Sequence, residues 1–168
     1  EKNLLLQKRL SMKILGIGNA IVDVICKVDD NFINENNLTK STMKLFFDKN
    51  EFKNLLTNLK IEKTVSGGSV ANSIVGISQL GDKAGFIGKI SDDKFGSNYE
   101  EGLKKENVEY FYSKKKEELP TGTCLILVTP DSERTMCTFL GTAGKINEND
   151  VSSDVIKKSE VIFLEGYL

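Results

Sequence analysis

Short apolar runs and amphipathic stretches alternate along this chain, and the alternation predicts strands interleaved with helices. Ile14 to Ile17 reads as an apolar strand ended by Gly18 and Asn19. Ile21 to Val28 alternates in part and carries Asp23 and Asp29, as in a strand that leaves the first sheet. Asn31 to Ser41 is polar and rich in Asn, which predicts a turn or loop. Met43 to Phe47 reads as a returning strand, and Asp48 with Glu51 predicts a capping box ahead of a helix bearing Phe52, Leu55, Leu56 and Leu59. Lys63 to Val65 is a brief strand. A helix follows from Ser69, with Val70, Ile74 and Ile77 on one face and Gly81 as its stop. Ala84 to Ile90 reads as a strand, and Asp92 as the cap of a helix carrying Phe95, Tyr99 and Leu103. Val108 to Tyr112 is a strand, and Thr123 to Thr129 is continuous enough in apolar character to be buried on both faces. Pro130 to Ser132 predicts a hairpin turn into a strand from Thr135 to Leu140. Asn149 or Asp150 is expected to cap a last helix before a strand over Val161 to Leu164.

Strands that alternate with helices predict an α/β fold: a mainly parallel central sheet with helices on both faces. The strand pairs near residues 21–47 and 107–128 break that rhythm and predict a small β-sheet lid at the sheet's edge. A lid there would cover the carboxyl ends of the strands, where open α/β sheets bind ligands. The final strand lies near an expected open edge, so the chain is expected to continue beyond it.

Composition narrows the function. The chain has 23 basic and 24 acidic residues, and a net charge of −1 gives no electrostatic footprint for nucleic acid or an anionic membrane. No apolar run approaches the length of a membrane span. Histidine is absent, which removes His-based triads and His metal sites. The three cysteines, Cys26, Cys124 and Cys137, form no C-x-x-C pair, and an odd scattered count fits a reducing, cytoplasmic compartment. Residues 1–11 carry only Leu4, Leu5 and Leu6 as an apolar cluster, too short for a signal-peptide core, and read as a leader or a remnant preceding Met12.

The candidate chemistry sits at two turns. Asn19 and Asp23 follow the first strand, and Gly67, Gly68 and Asn72 open a helix. A carboxylate can accept from two neighbouring hydroxyls, an amide can orient a neutral ligand, and glycine backbone allows close approach. That set suits a hydroxyl-rich small molecule. The plainer readings are an exposed Asp on a strand, a turn Asn, and an ordinary helix-start turn. Cys124 lies on a strand expected to face the ligand; its plainer reading is a small buried residue. Gly16-x-Gly18 starts like a dinucleotide fingerprint, but Ile21 stands where the third Gly belongs, and no P-loop pattern or metal-ligand cluster is present.

Taken in order, Gly18-Asn-Ala-Ile-Val-Asp23, Ser66-Gly-Gly-Ser-Val-Ala-Asn72, Gly85 to Gly96, Pro120-Thr-Gly-Thr-Cys124, Thr129 to Arg134 and Leu164-Glu-Gly-Tyr167 resemble the N-terminal half of the ribokinase-like (PfkB) family of carbohydrate and nucleoside kinases. The adenosine-kinase-like branch is the most similar. The resemblance implies that residues 12–168 are the substrate-binding half of an α/β kinase domain. It implies an ATP- and Mg2+-dependent transfer of phosphate to a primary hydroxyl of a nucleoside or sugar. Asn19, Asp23, Gly67, Gly68, Asn72 and Cys124 would hold the acceptor, with Glu165 on a sugar hydroxyl and Arg134 on the phosphates. The family's Gly-Ala-Gly-Asp anion hole and its Asp base have no counterpart here; Gly141-Thr-Ala-Gly144 has no Asp and the wrong place in the chain. No catalytic residue is therefore expected among these 168 residues, and the chain alone is expected to be inactive. A kinase for ribose, fructose or a related sugar, and a non-catalytic sugar- or nucleoside-binding module, stay open as alternatives. So does a homodimer formed through the lid.

Overall fold

The computed structural model describes residues 12–165. The reading of residues 1–11 falls outside them. Within that range the chain runs β1 (Met12–Ile17), β2 (Ile21–Lys27), α1 (Asp30–Glu35), β3 (Met43–Phe46), α2 (Lys49–Thr57), β4 (Ile61–Gly67), α3 (Ser69–Gln79) and β5 (Ala84–Ile87). It continues through α4 (Lys94–Lys105), β6 (Glu109–Tyr110), β7 (Gly122–Val128), β8 (Arg134–Phe139), two short 3-10 turns, α5 (Ser153–Lys157) and β9 (Ser159–Leu164).

The strands form two sheets. One is wholly parallel, in the order β6-β5-β1-β9. The other is mixed, in the order β3-β8-β7-β2-β4, with β2 parallel to β7 and antiparallel to β4. The fold is thus the expected α/β type. The strands expected together over residues 107–128 divide between the sheets: β6 pairs with β5 in the parallel sheet, and only β7 joins the second. The second sheet instead gains β4 and β8, which complete it as an antiparallel partner on either side of the β2–β7 pair.

One apolar core joins the sheets. Val22 and Val24 of β2, Leu125 and Leu127 of β7, Phe86 of β5, Ile74 of α3 and Tyr99 and Leu103 of α4 belong to a single buried cluster. The opposite face of the parallel sheet is covered separately, where Met12, Leu15 and Ile87 meet Ile146, Val151 and Val155. β9 is the outer strand of its sheet, and Val161, Ile162 and Leu164 on it are exposed.

Three local expectations are corrected. Residues expected as loop after Asp29 form α1, because Asp29 caps it by accepting from the Phe32 N–H at 2.8 Å and Ile33 is buried in the core. Burial of one face outweighs the low helix propensity of Asn. The cap of α4 is Asp93 rather than Asp92. Asn147 caps a 3-10 turn over Glu148–Asp150, and Ser152 precedes α5, so neither Asn149 nor Asp150 is the cap of the last helix. Asp48 caps α2 as expected, accepting from the N–H groups of Asn50 and Glu51, while the Glu51 carboxylate pairs with Lys44.

Candidate functional site

Paired residues in neighbouring strands point to the same face of a sheet. Across the second sheet Val65, Asp23, Cys124, Thr138 and Leu45 form one such row, on β4, β2, β7, β8 and β3 in turn. Their face is the one turned away from the main core, because the intervening Val22, Val24 and Leu125 are the residues buried there. Asp23 is the only carboxylate in this row. Beside it lies an apolar cluster in which Ile21, Cys124 and Ala143 meet Ile126 and Leu140, with Met43 and Met136 exposed farther out and the polar Thr138, Lys63 and Arg134 on the same face. Burial pushes the Asp23 carboxyl up to about 6 from the usual 3.8. Burial likewise pushes the Cys124 thiol up to about 11, and Thr138 Oγ1 donates to its Sγ at 3.3 Å.

The turn from β4 into α3 closes on this carboxylate. A β-carbon at Gly67 would lie 2.4 Å from Asp23 Oδ2 and 3.0 Å from Oδ1. No side chain fits there while the carboxylate keeps its place. Gly68 has φ +98, a conformation that L side chains rarely adopt, and a β-carbon on it would lie 2.4 Å from the Asn19 carbonyl oxygen. The two turns therefore pack backbone against backbone, with the Asn19 carbonyl against Gly68 and the Asp23 carboxylate against Gly67. Tyr99, fully buried on α4, donates its hydroxyl to the Gly67 carbonyl at 3.2 Å. Burial, reinforced by the negative charge of Asp23, holds its phenol well above the usual range.

The other candidates are spread more widely. Asn72 is exposed on α3 and lines an open groove of about 460 Å3 between α3, α4 and β4. Val65, the cross-strand partner of Asp23, lines the same groove. Arg134 is exposed at the start of β8, opposite Val128. It lies four residues along the strand from Thr138, roughly 13 Å at the usual rise. Glu165 follows Leu164, whose Cα partner is Ile17 of β1, so it lies beside the Gly18-Asn19 turn. Its Oε2 is buried and finds no hydrogen-bond partner among the described residues.

Tyr99 and Thr138 are the residues of this site that the sequence reading missed. Tyr99 sits at helical spacing between Phe95 and Leu103 and reads as core; the signal is its polar tip, which a buried Tyr must satisfy. Thr138 becomes visible only once the register of β7 and β8 is known. Among the described residues no group of three or more His, Cys, Asp or Glu is placed to hold a metal ion, and no helix is long and apolar enough to cross a membrane.

Comparison with known proteins agrees with the α/β fold. Residues 13–168 match the sequence profile described as "pfkB family carbohydrate kinase". Adenosine kinase from Sinorhizobium meliloti is similar over 94% of this chain and 48% of its own, with 35% identity and a TM-score of 0.83. A probable sugar kinase from Rhizobium etli CFN 42 is similar over the same shares, with 34% identity and a TM-score of 0.83. A 5-dehydro-2-deoxygluconokinase of Mesomycoplasma hyopneumoniae is 27% identical over 122 residues, which are 71% of this chain and 36% of the relative. The chain thus spans about half the length of these solved structures and about a third of that relative.

Proposed function

Because this chain belongs to the pfkB family of carbohydrate kinases, we propose that its part in the protein's work is to hold a nucleoside whose primary hydroxyl receives a phosphoryl group from ATP. The carrying observation is a single carboxylate, Asp23, in its cross-strand row, beside an apolar cluster on the same sheet face. A nucleoside matches both halves of that surface. Its ribose diol can donate two hydrogen bonds to the ionised carboxylate, and its base can lie on the partly exposed Ile126 and Leu140. Gly67 borders the carboxylate and Gly68 packs on the Asn19 carbonyl, and this turn pair would orient the ribose. The second sheet would act as the lid, excluding water from the transferring phosphoryl group. Arg134, exposed on that sheet, would reach the phosphates only as the lid closes. A lid with exposed Met43 and Met136 is also the face through which a homodimer would form.

Among the described residues no group of three or more His, Cys, Asp or Glu is placed to hold a metal ion, and no step is derived through Mg2+. The same holds for ATP and for the base, for which the chain has no motif. Positioning and electrostatic stabilisation account for most of phosphoryl-transfer catalysis, and this chain's share is the positioning.

A sugar acceptor is the second reading. The Oε2 of Glu165, buried and without a hydrogen-bond partner among the described residues, favours it, since a sugar hydroxyl would satisfy that atom. Phosphoryl transfer by the natural full-length protein to adenosine, ribose and fructose separates the two. The proposal expects kcat/KM for adenosine to exceed that for either sugar by about tenfold or more, the worth of filling an apolar subsite with a base. Transfer to a sugar alone would move the assignment to the second reading. Tight binding without transfer would make the protein a binding module.

A further inference from the structure

Four hydrogen bonds converge where the chain enters β7. Asp93 Oδ1 accepts from the Gly96 N–H at 2.8 Å and from Thr121 Oγ1 at 2.8 Å, Oδ2 accepts from the Thr121 N–H at 2.9 Å, and Thr121 Oγ1 accepts from the Ser91 N–H at 3.0 Å. Thr121 is 1% exposed and Ser91 5% exposed. Capping α4 needs one oxygen, and Ser or Asn would supply it as well as Asp. Only a carboxylate offers enough acceptor sites to cap the helix and also take both donors of Thr121.

What Thr121 holds explains the second task. The next residue, Gly122, opens β7, and a β-carbon on it would lie 2.6 Å from the Leu140 carbonyl oxygen and 3.0 Å from that of Ala20. The start of β7 is therefore wedged between the chain entering β2 and the chain leaving β8. The Thr142 N–H adds a bond to the Pro120 carbonyl at 2.9 Å. Gly122 is paired with Ile21, and two residues farther along the same ladder Cys124 is paired with Asp23.

We propose that Asp93 is a positioning residue: through Thr121 it fixes the start of β7 against α4 and so sets where Asp23 and Cys124 stand relative to the parallel sheet. This rests on the reading of the Asp23 face as the acceptor site, but the clamp itself has its own readout. The test compares Asp93→Ser, Asp93→Asn and Thr121→Val in the natural full-length protein. Asp93→Ser keeps a helix cap and loses the clamp; Thr121→Val keeps the cap and removes the hydroxyl that bridges Asp93 and Ser91. Amide exchange at Gly122, Thr123 and Cys124 should quicken about tenfold or more in Asp93→Ser and Thr121→Val, as expected for loss of hydrogen bonds to a charged group. The amides in the last turn of α4 should stay within about twofold, being remote from the clamp. Calorimetric affinity for adenosine should fall by about tenfold in the same two variants, with Asp93→Asn intermediate. Exchange and affinity both within twofold of wild type in Asp93→Ser and Thr121→Val would reduce Asp93 to a helix cap. If the wild-type protein binds neither adenosine nor ribose, the reading of the acceptor face fails while the exchange rates still decide the clamp.

Discussion

The Cα of Gly67 stands so close to the carboxylate of Asp23 that a β-carbon on it would lie 2.4 Å from Oδ2. Gly67 has no left-handed backbone to protect, so contact with Asp23 is its reason to be glycine. Gly67→Ala should therefore swing the Asp23 carboxylate aside, lower acceptor affinity by about tenfold, and cost about 1–2 kcal/mol of stability. The stability cost should largely vanish in the Asp23→Ala background, where the clash is gone. A denaturant cycle over the four proteins reads this coupling. Additive single effects would show that the two residues do not touch.

The raised carboxyl of Asp23 fixes the sign of a pH effect. Its folded value of about 6 exceeds the ordinary 3.8, so between those values the folded protein binds more protons than the unfolded one. Stability should thus decline as pH rises from 4 to 6 and level off above 6, and Asp23→Asn should remove that decline. Acceptor binding should run the opposite way, strengthening through about pH 6 as the carboxylate ionises and becomes a double acceptor. Thermal melts and calorimetry across pH 4.5–8 measure both slopes. Parallel rather than opposed trends would mean that Asp23 does not meet the ligand.

Lys89 is a buried cation between two carboxylates, 3.1 Å from Asp150 and 3.7 Å from Glu117, and Tyr112 donates its hydroxyl to Glu117 at 2.5 Å. The cluster ties the end of β5 to the loop before β7 and to the turn before α5. Lys89→Met should cost about 3 kcal/mol, because it leaves two carboxylates facing each other out of water. Adding Asp150→Asn and Glu117→Gln should recover part of that loss. Urea unfolding of the three proteins measures it, and a Lys89→Met loss below about 1 kcal/mol would mean that water reaches the cluster.

Arg134 is exposed and lies well along β8 from the Asp23 row. Arg134→Ala should leave adenosine affinity within about twofold, as for a surface substitution. The proposed reach to the phosphates expects kcat to fall by about tenfold or more, since a charge acting on the moving phosphoryl group contributes mainly in the transition state. Steady-state kinetics at saturating adenosine distinguishes the cases, and wild-type kcat would take Arg134 out of the site. Lysine at the position keeps the charge without the planar fork.

Much of this arrangement was legible in the chain because local chemistry dictates it. Gly68 at a strand-to-helix turn, Gly81 after Leu80 and the apolar stripe of Val70 and Ile74 fix α3 with no reference to the rest of the molecule. Asp23 and Asn19 were legible through their motifs. The row joining Asp23 to Cys124 and Thr138 was not, because register between distant strands leaves no local trace. Asn72 illustrates the same limit: its position near a helix start was clear, but its exposure on the groove beside β4 depends on how α4 packs. Asp92 and Asp93 are equally good helix caps by local rule, and only the fold brings Thr121 to Asp93.

The measurement that bears most directly on this account is calorimetric titration of the natural full-length protein and its Asp23→Ala variant with adenosine and with 2′-deoxyadenosine. A hydrogen bond to a charged group contributes roughly 1.5–3 kcal/mol, so adenosine affinity should fall about ten- to a hundredfold in Asp23→Ala. Wild type should bind 2′-deoxyadenosine more weakly than adenosine, and the variant should no longer distinguish them, having lost the group that reads the diol. Equal adenosine affinity in wild type and Asp23→Ala would contradict the account and leave Asp23 as a half-buried carboxylate with no ligand.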